Sequence, residues 1–250
     1  MPVEAAPTNS DVGCSEALAD YRSGGMLLTV VEYSTSGSII VLIFLLVCQA
    51  IELFAPGVDL LILPNDGSPW STLTEALLIC FIMPVVGTMA ISSLMLFYRL
   101  AKNTEAFGEG PLFASPTMLV VYFLVPVIKY FLPYRILREI GRIANSKPGS
   151  NWRDTPVPSI VHLWWLFSLT EILSIGWMVT AGYLRESDRF SIAVFFYVQG
   201  INEVLRFALM AAASWIQLLL FRNLCTSQDR RFVASMSTAG SIDEVSSHYV

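Results

Sequence analysis

Glu171 stands near the middle of an apolar run that covers residues 157–182. A carboxylate at the centre of such a run costs several kcal/mol unless it is paired or hydrated, so it is a candidate site by its position alone. Trp164, Ser168 and Glu171 are three to seven residues apart. On a helix they share one face, and that face could line a polar crevice. The chemistry open to it is proton or cation coupling; the alternative is a protonated or hydrogen-bonded carboxyl that holds helices together. A second group, Gln199, Asn202, Glu203 and Arg206, is spaced by three and four residues. That spacing stacks them into one stripe in which Glu203 and Arg206 can pair. If the spanning part of that segment is its last stretch before Arg222, the stripe is simply wet. A third group is basic: Arg99 and Asn103, four residues apart, together with Arg135, Arg138 and Arg142. The first two can reach one carbonyl or one headgroup phosphate. All five together would make a patch for anionic lipid or for the acidic tail of a partner. The plainer role for these cations is topogenic.

The ingredients of catalysis are missing from the chain. Its two histidines are His162 and His248, and no nucleophile elbow, HExxH or Gly-rich phosphate loop occurs. Cys14, Cys48, Cys80 and Cys225 include no CxxC and have no histidine at ligand spacing. The expectation is therefore no catalytic residue, no metal, no cofactor and no nucleic-acid partner.

The elements that position these residues are set by composition. The 250 residues are 54% hydrophobic and 14% charged, with a mean hydropathy of +0.60. A water-soluble chain of this length could not hide so much apolar surface. Residues 1–37 hold Glu4, Asp11, Glu16, Asp20 and Glu32 against Arg22, which does not fit a secretory signal. They are expected to be a flexible acidic tail, and residues 226–250, rich in serine, a second flexible tail. The intervening 38–225 is expected to be a helical transmembrane domain.

Five apolar segments lie in that domain. The first, 38–55, ends at Pro56-Gly57, with Gln49 and Glu52 at its interfacial end. The second begins after a Thr72–Glu75 capping box and runs to Tyr98, with Pro84 and Gly87 near its middle. The third opens on Ser115-Pro116, a cap followed by proline, and is interrupted by Pro126, Lys129 and Pro133. Beyond Pro133, Ile136, Ile140 and Ile143 fall on one face and Arg135, Arg138, Glu139 and Arg142 on the other. That pattern predicts an amphipathic surface helix along the lipid headgroups. The fourth segment, 157–182, carries Trp164 and Trp165 near its start, as at a membrane interface. The fifth, 191–221, is longer than a bilayer core, which predicts a tilt or a break near Gly200.

Positive charge separates two topologies. Five full crossings put Arg22, Arg99, Lys102, Arg185 and Arg189 on one side, and Arg135, Arg138, Arg142, Lys147, Arg153, Arg222, Arg230 and Arg231 on the other. If the third segment dips in and returns, twelve basic residues including Lys129 share a side, against Arg185 and Arg189. The positive-inside rule favours the second arrangement. The chain is thus expected to be all-α: four full spans, one Pro-kinked or re-entrant segment leading into the surface helix, and both tails cytoplasmic. Five full spans are the alternative.

The block 97–165 carries a resemblance. It reads FYRLAKN, then ASPTMLVVYFLVPVIKYFLPYRILREIGRIANS, then NWRDTPVPSIVHLWW. This order resembles the bacterial membrane-protein family called domain of unknown function 4328. The matching features fall on Arg99 and Asn103, on Pro126, Pro133, Tyr134, Arg138 and Glu139, on Trp164 and Trp165, and on Arg222 and Gln228 near the end. The likeness covers about residues 38–228. Its segment before Pro126 is poorer in tryptophan than is usual in the family, and Lys129 occupies a position more often neutral. The resemblance implies architecture and a bacterial plasma (inner) membrane, and supplies no chemistry. The expected function is non-enzymatic, through contacts with membrane lipids, a protein partner or a second copy, as an assembly or regulatory subunit. The alternative is a small transporter or channel that uses Glu171 and the stripe from Gln199 to Arg206.

Overall fold

Apolar runs of this length have one economical way to satisfy their backbone groups, which is to become helices. The computed structural model describes residues 21–54, 69–107, 112–125, 128–186 and 192–247, and within these no strand forms. The helices are α1 Gly25–Phe54, α2 Pro69–Ala106, α3 Pro116–Leu124, α4 Leu132–Asn145, α5 Ser159–Glu186 and α6 Ile192–Ser247. Short 3₁₀ turns, Ile128–Tyr130 and Trp152–Asp154, flank α4. Three helices contain stretches long and apolar enough to cross a membrane: Gly25–Val47, Met83–Ala106 and Gly200–Ser237; a shorter apolar stretch is Ser159–Thr170.

The start of α3 matches the expectation. Ser115 is its N-cap, with φ −62° and ψ 156°, its hydroxyl accepts from the Met118 N–H at 3.4 Å, and Pro116 follows. The helix ends after nine residues, ahead of Pro126. At 1.5 Å per residue that is about 14 Å, roughly half a hydrocarbon core. Pro126 itself lies outside the described residues. Between α4 and the second 3₁₀ turn the chain reverses through Lys147-Pro148-Gly149-Ser150. Gly149 has φ 75°, and the Ser150 N–H donates to the Lys147 carbonyl at 3.1 Å. Proline and a left-handed glycine at those positions are what a type II turn requires.

Five expectations need correction. Helix α1 begins at Gly25, well before residue 38, and α2 begins at Pro69, ahead of Thr72. Helix α6 runs 56 residues, about 84 Å, without a break at Gly200. Gly200 is helical and buried. The stretch from Thr226 to Ser247, expected to be flexible, continues α6 because Leu224, Cys225, Gln228 and Arg231 keep a buried stripe at helical spacing. Lastly, the apolar face of α4 is not turned to lipid: Ile136, Leu137, Ile140 and Ile143 are buried within protein. Residues 1–20, and the side chains of Gln49, Glu52, Thr72 and Glu75, lie outside the described residues.

The chain divides into two units. Unit 1 draws on Met1–Leu28, Leu94–Val161 and Leu220–Val250. Its core is apolar: Leu96, Phe97, Leu100, Leu119, Leu220, Phe221 and the α4 isoleucines are buried. Phe97 binds three elements of this core, with its ring 4.6 Å from Phe123 of α3 and 4.6 Å from Phe221 of α6. Unit 2 draws on Thr29–Ser93 and His162–Leu219. Here Thr35, Ser38, Ser92 and Ser93 are buried alongside Val31, Ile216 and Leu218, while Ile40, Phe44, Met83, Ile91, Leu166 and Leu205 are exposed. Small hydroxyl side chains inside and large apolar ones outside are what lipid as solvent selects. Within unit 2 the Gln217 amide donates to the Ser93 hydroxyl at 2.9 Å, joining α6 to α2.

Two glycines test this packing. A Cβ on Gly141 would lie 3.1 Å from Pro158 Cδ and 3.3 Å from Pro158 Cγ, whereas one on Gly87 would meet nothing within 4 Å. Gly141→Val is expected to lower stability by about 1–3 kcal/mol through overpacking. Gly87→Ala should be neutral or gain up to about 1 kcal/mol from helix propensity. Thermal unfolding in detergent compares the two.

Candidate functional site

Polar side chains that unit 1 buries need partners, and the structure supplies them mostly from one helix extension to another. Asn103 sits on the last turn of α2 and is 3% exposed. Its carboxamide holds the segment that leads into α1: Nδ2 donates to the Arg22 carbonyl at 2.9 Å and Oδ1 accepts from the Arg22 N–H at 3.3 Å. Arg99, one turn earlier, donates to the neighbouring Ser23 carbonyl at 3.4 Å. The spacing of four therefore places both groups on adjacent carbonyls of the chain itself. Asn103 is thus withdrawn from any lipid phosphate.

Gln228 of α6 completes the lock. It is 1% exposed. Its Nε2 donates to the Leu100 carbonyl at 2.9 Å and to the Thr104 hydroxyl at 3.2 Å, and its Oε1 accepts from Asn103 Nδ2 at 3.2 Å. One turn on, the Arg231 guanidinium donates to the Ile143 carbonyl and, at 2.6 Å, to the Ser146 hydroxyl, with the Phe107 ring 5.0 Å beneath it. This caps the C-terminus of α4, where free carbonyls and the helix dipole favour a cation. Ser227 adds a bond to Asn145 Oδ1 at 3.2 Å.

Tyr21 closes the same end of unit 1. Its ring stacks on Phe232 at 4.3 Å and its hydroxyl donates to Asp229. Burial, and then the bond to the Asp229 carboxylate, push the phenol well above its ordinary value of 10.0. Protein that holds the phenol protonated is stabilised in full below about pH 10 and loses that stabilisation as pH rises further, because the unfolded chain releases the proton first.

The basic face of α4 divides into two parts. Arg135 lies over the Phe113 ring at 3.7 Å, and Glu139 Oε2 accepts from the Phe113 N–H at 2.8 Å, so these two side chains clamp the approach to α3. Arg138 and Arg142 are half-buried, and the Nε–H of each is enclosed with no acceptor. The Tyr134 ring lies 5.6 Å from the Arg138 guanidinium. Pro133 is buried at the N-terminus of α4.

The intramembrane candidates in unit 2 are less assembled. The Ser168 hydroxyl donates to the Trp164 carbonyl at 2.9 Å, within its own helix. Trp164 is buried and Trp165 half-buried. The side chains of Glu171, Gln199 and Glu203 lie outside the described residues. Asn202 and Arg206 are half-buried on α6; Asn202 Nδ2 is enclosed without an acceptor, and the Arg206 guanidinium lies 5.1 Å from the Phe207 ring. Among the described residues no group of His, Cys, Asp and Glu could hold a metal ion.

Among the described residues the protein is all-helical, with three helices long and apolar enough to cross a membrane. Residues 69–225 match the model of the family described as Domain of unknown function (DUF4328), and the chain belongs to that family. The match opens at the first residue of α2, so it leaves out α1, and it ends three residues before Gln228. No curated protein and no solved structure matches the chain.

Sequence reasoning named Arg99, Asn103 and Gln228 without seeing that they belong together, and it missed Thr104, Tyr21, Asp229 and Arg231 as structural groups. The available signal was spacing: Phe221, Leu224, Cys225, Gln228 and Arg231 continue one stripe at intervals of three and four. Gln228→Leu, which keeps the volume and strands the buried amide and carbonyl partners, is expected to cost about 1–3 kcal/mol in detergent unfolding. Tyr21→Phe should flatten the decline of thermal stability above about pH 10 relative to the parent.

Proposed function

We propose that the chain is a non-enzymatic membrane protein that crosses the bilayer four times and acts through contacts made by its basic unit on the cytoplasmic side, as an assembly or regulatory subunit. The observation that carries this reading is the distribution of charge. Of the 15 Lys and Arg residues, all but Arg185, Arg189 and Arg206 belong to unit 1. The grouping found from packing is the same one that the returning third segment requires. The positive-inside rule then puts unit 1 in the cytoplasm of a bacterial cell, at the plasma (inner) membrane.

The third segment supports four crossings. Helix α3 is too short to span, buries Leu119 and exposes Met118, Val121 and Leu124. A helix with protein on one side and apolar side chains on the other suits the boundary of the acyl region. Lys129 lies beyond it at the level where long basic side chains reach headgroups.

A transporter or channel is the second reading. It is favoured by one observation, the enclosed Asn202 amide without an acceptor beside Glu203 in a unit with a lipid-type surface. Ion or solute flux in proteoliposomes that disappears on Asn202→Leu would select it.

Sidedness tests the main reading. In a variant without native cysteines, single cysteines at Lys102 and Lys147 are expected to react with a membrane-impermeant thiol reagent only from the cytoplasmic face, and one at Glu186 only from the opposite face. Lys102 and Lys147 labelled from opposite faces would establish a third crossing and end the four-span topology.

A further inference from the structure

Arg138 and Arg142 lie one turn apart on α4, which places two full positive charges side by side. Ordinarily a carboxylate would sit between them. Here the described carboxylates that make bonds in unit 1 make them elsewhere: Glu139 to the Phe113 N–H at 2.8 Å, Asp154 to the Asn151 amide at 3.0 Å, Asp229 to the Tyr21 hydroxyl. Arg135 is set apart by its stacking on Phe113. Both Arg138 and Arg142 are half-buried, with an Nε–H that protein encloses and no acceptor meets, so each guanidinium has its outer N–H groups to offer a ligand.

One ligand chemistry answers this pair of adjacent charges. A phosphate group brings up to two negative charges and at least two unesterified oxygens, enough to bridge guanidiniums on adjacent turns with charge-assisted, forked hydrogen bonds. A single carboxylate neutralises one arginine and leaves the other. Tyr134 continues the same face one turn before Arg138 and bounds the pair with an aromatic ring. Helix α3, which packs on α4, offers Met118, Val121 and Leu124 as an exposed apolar surface. The acyl chains of a phospholipid could lie against it.

We propose that Arg138 and Arg142 form a phosphate-binding site, occupied by a phospholipid headgroup or by free phosphate. The proposal rests on reading unit 1 as the contact-making part of the protein, and gives that contact a chemical identity. Arg138 and Arg142 supply the binding; Arg135 and Glu139 position α3 beside it.

The test uses the full chain in an uncharged maltoside detergent. Thermal stability and calorimetric binding are followed with inorganic phosphate in one arm and with micelles containing phosphatidic acid or phosphatidylglycerol in another, against sodium chloride at equal ionic strength. A saturable response above the chloride control is expected in at least one phosphate arm. A response confined to the lipid arm makes the ligand a headgroup; a response to inorganic phosphate makes it the free anion; either supports the site. Arg138→Gln with Arg142→Gln should weaken binding by about tenfold or more, whereas Arg153→Gln, an exposed control, should leave it unchanged. If the double Gln variant does not fold, Arg138→Lys with Arg142→Lys keeps the charge and loses the forks, and its affinity must still fall. No response above chloride in any arm, or variants that bind like the parent, would overturn the proposal. Thiol labelling of a cysteine at Lys147 in the same cells reports sidedness separately. A misplaced unit 1 and an absent phosphate site thus give distinct results.

Discussion

Gln228 is the constraint on which unit 1 turns. Its carboxamide is shut away from water and reaches the backbone of α2, the hydroxyl of Thr104 and the amide of Asn103, which in turn holds the Arg22 peptide in both directions. A buried amide that found fewer partners would destabilise the fold; with all of them it fixes register, because sliding α6 by one residue would strand each group at once. Arg231, one turn further, extends the same logic to α4 by capping its last carbonyls. The aromatic packing of Tyr21, Phe107 and Phe232 then shields the polar bonds.

The two units differ in charge and in what they turn outward. Unit 1 carries most of the cations and buries a core of leucine, isoleucine and phenylalanine together with Asn103, Gln228 and Arg231. Unit 2 buries serine and threonine beside Val31, Ile216 and Leu218, and turns Ile40, Phe44, Ile91, Leu166 and Leu205 outward. Hydrophobicity alone does not say which side a given leucine faces. This division gives the polar groups different meanings. In unit 1 an amide is a lock among helix ends; in unit 2 the bond of Gln217 to Ser93 joins α6 to α2.

Much of the architecture was legible because its signals are local. The Ser115-Pro116 cap and the brevity of the third segment depend on a few neighbouring residues, and each is found where the sequence placed it. The failures share one cause. Gln228 and Arg231 look like solvent-exposed residues, so the buried stripe through Leu224 and Cys225 seemed to end at Phe221 and the C-terminal helix was taken for a tail. Asn103 and Arg99 reach carbonyls, one of the two kinds of partner expected of them, but those of Arg22 and Ser23 and not a single one. The isoleucines of α4 were correctly grouped on one face, but periodicity cannot say whether lipid or protein covers that face; here it is protein. Of the intramembrane candidates, Ser168 bonds within its own helix, and the side chains of Glu171, Gln199 and Glu203 lie outside the described residues.

Hydrogen–deuterium exchange over residues 222–235, in detergent or nanodiscs, bears most directly on the central claim that buried polar bonds hold the extension of α6. The account predicts that the backbone amides of Leu224, Cys225, Gln228 and Arg231 exchange as slowly as those of Leu218 and Leu220, and that Gln228→Leu releases them. Exchange beyond Phe221 at the rate of an unstructured peptide in the parent protein would contradict it.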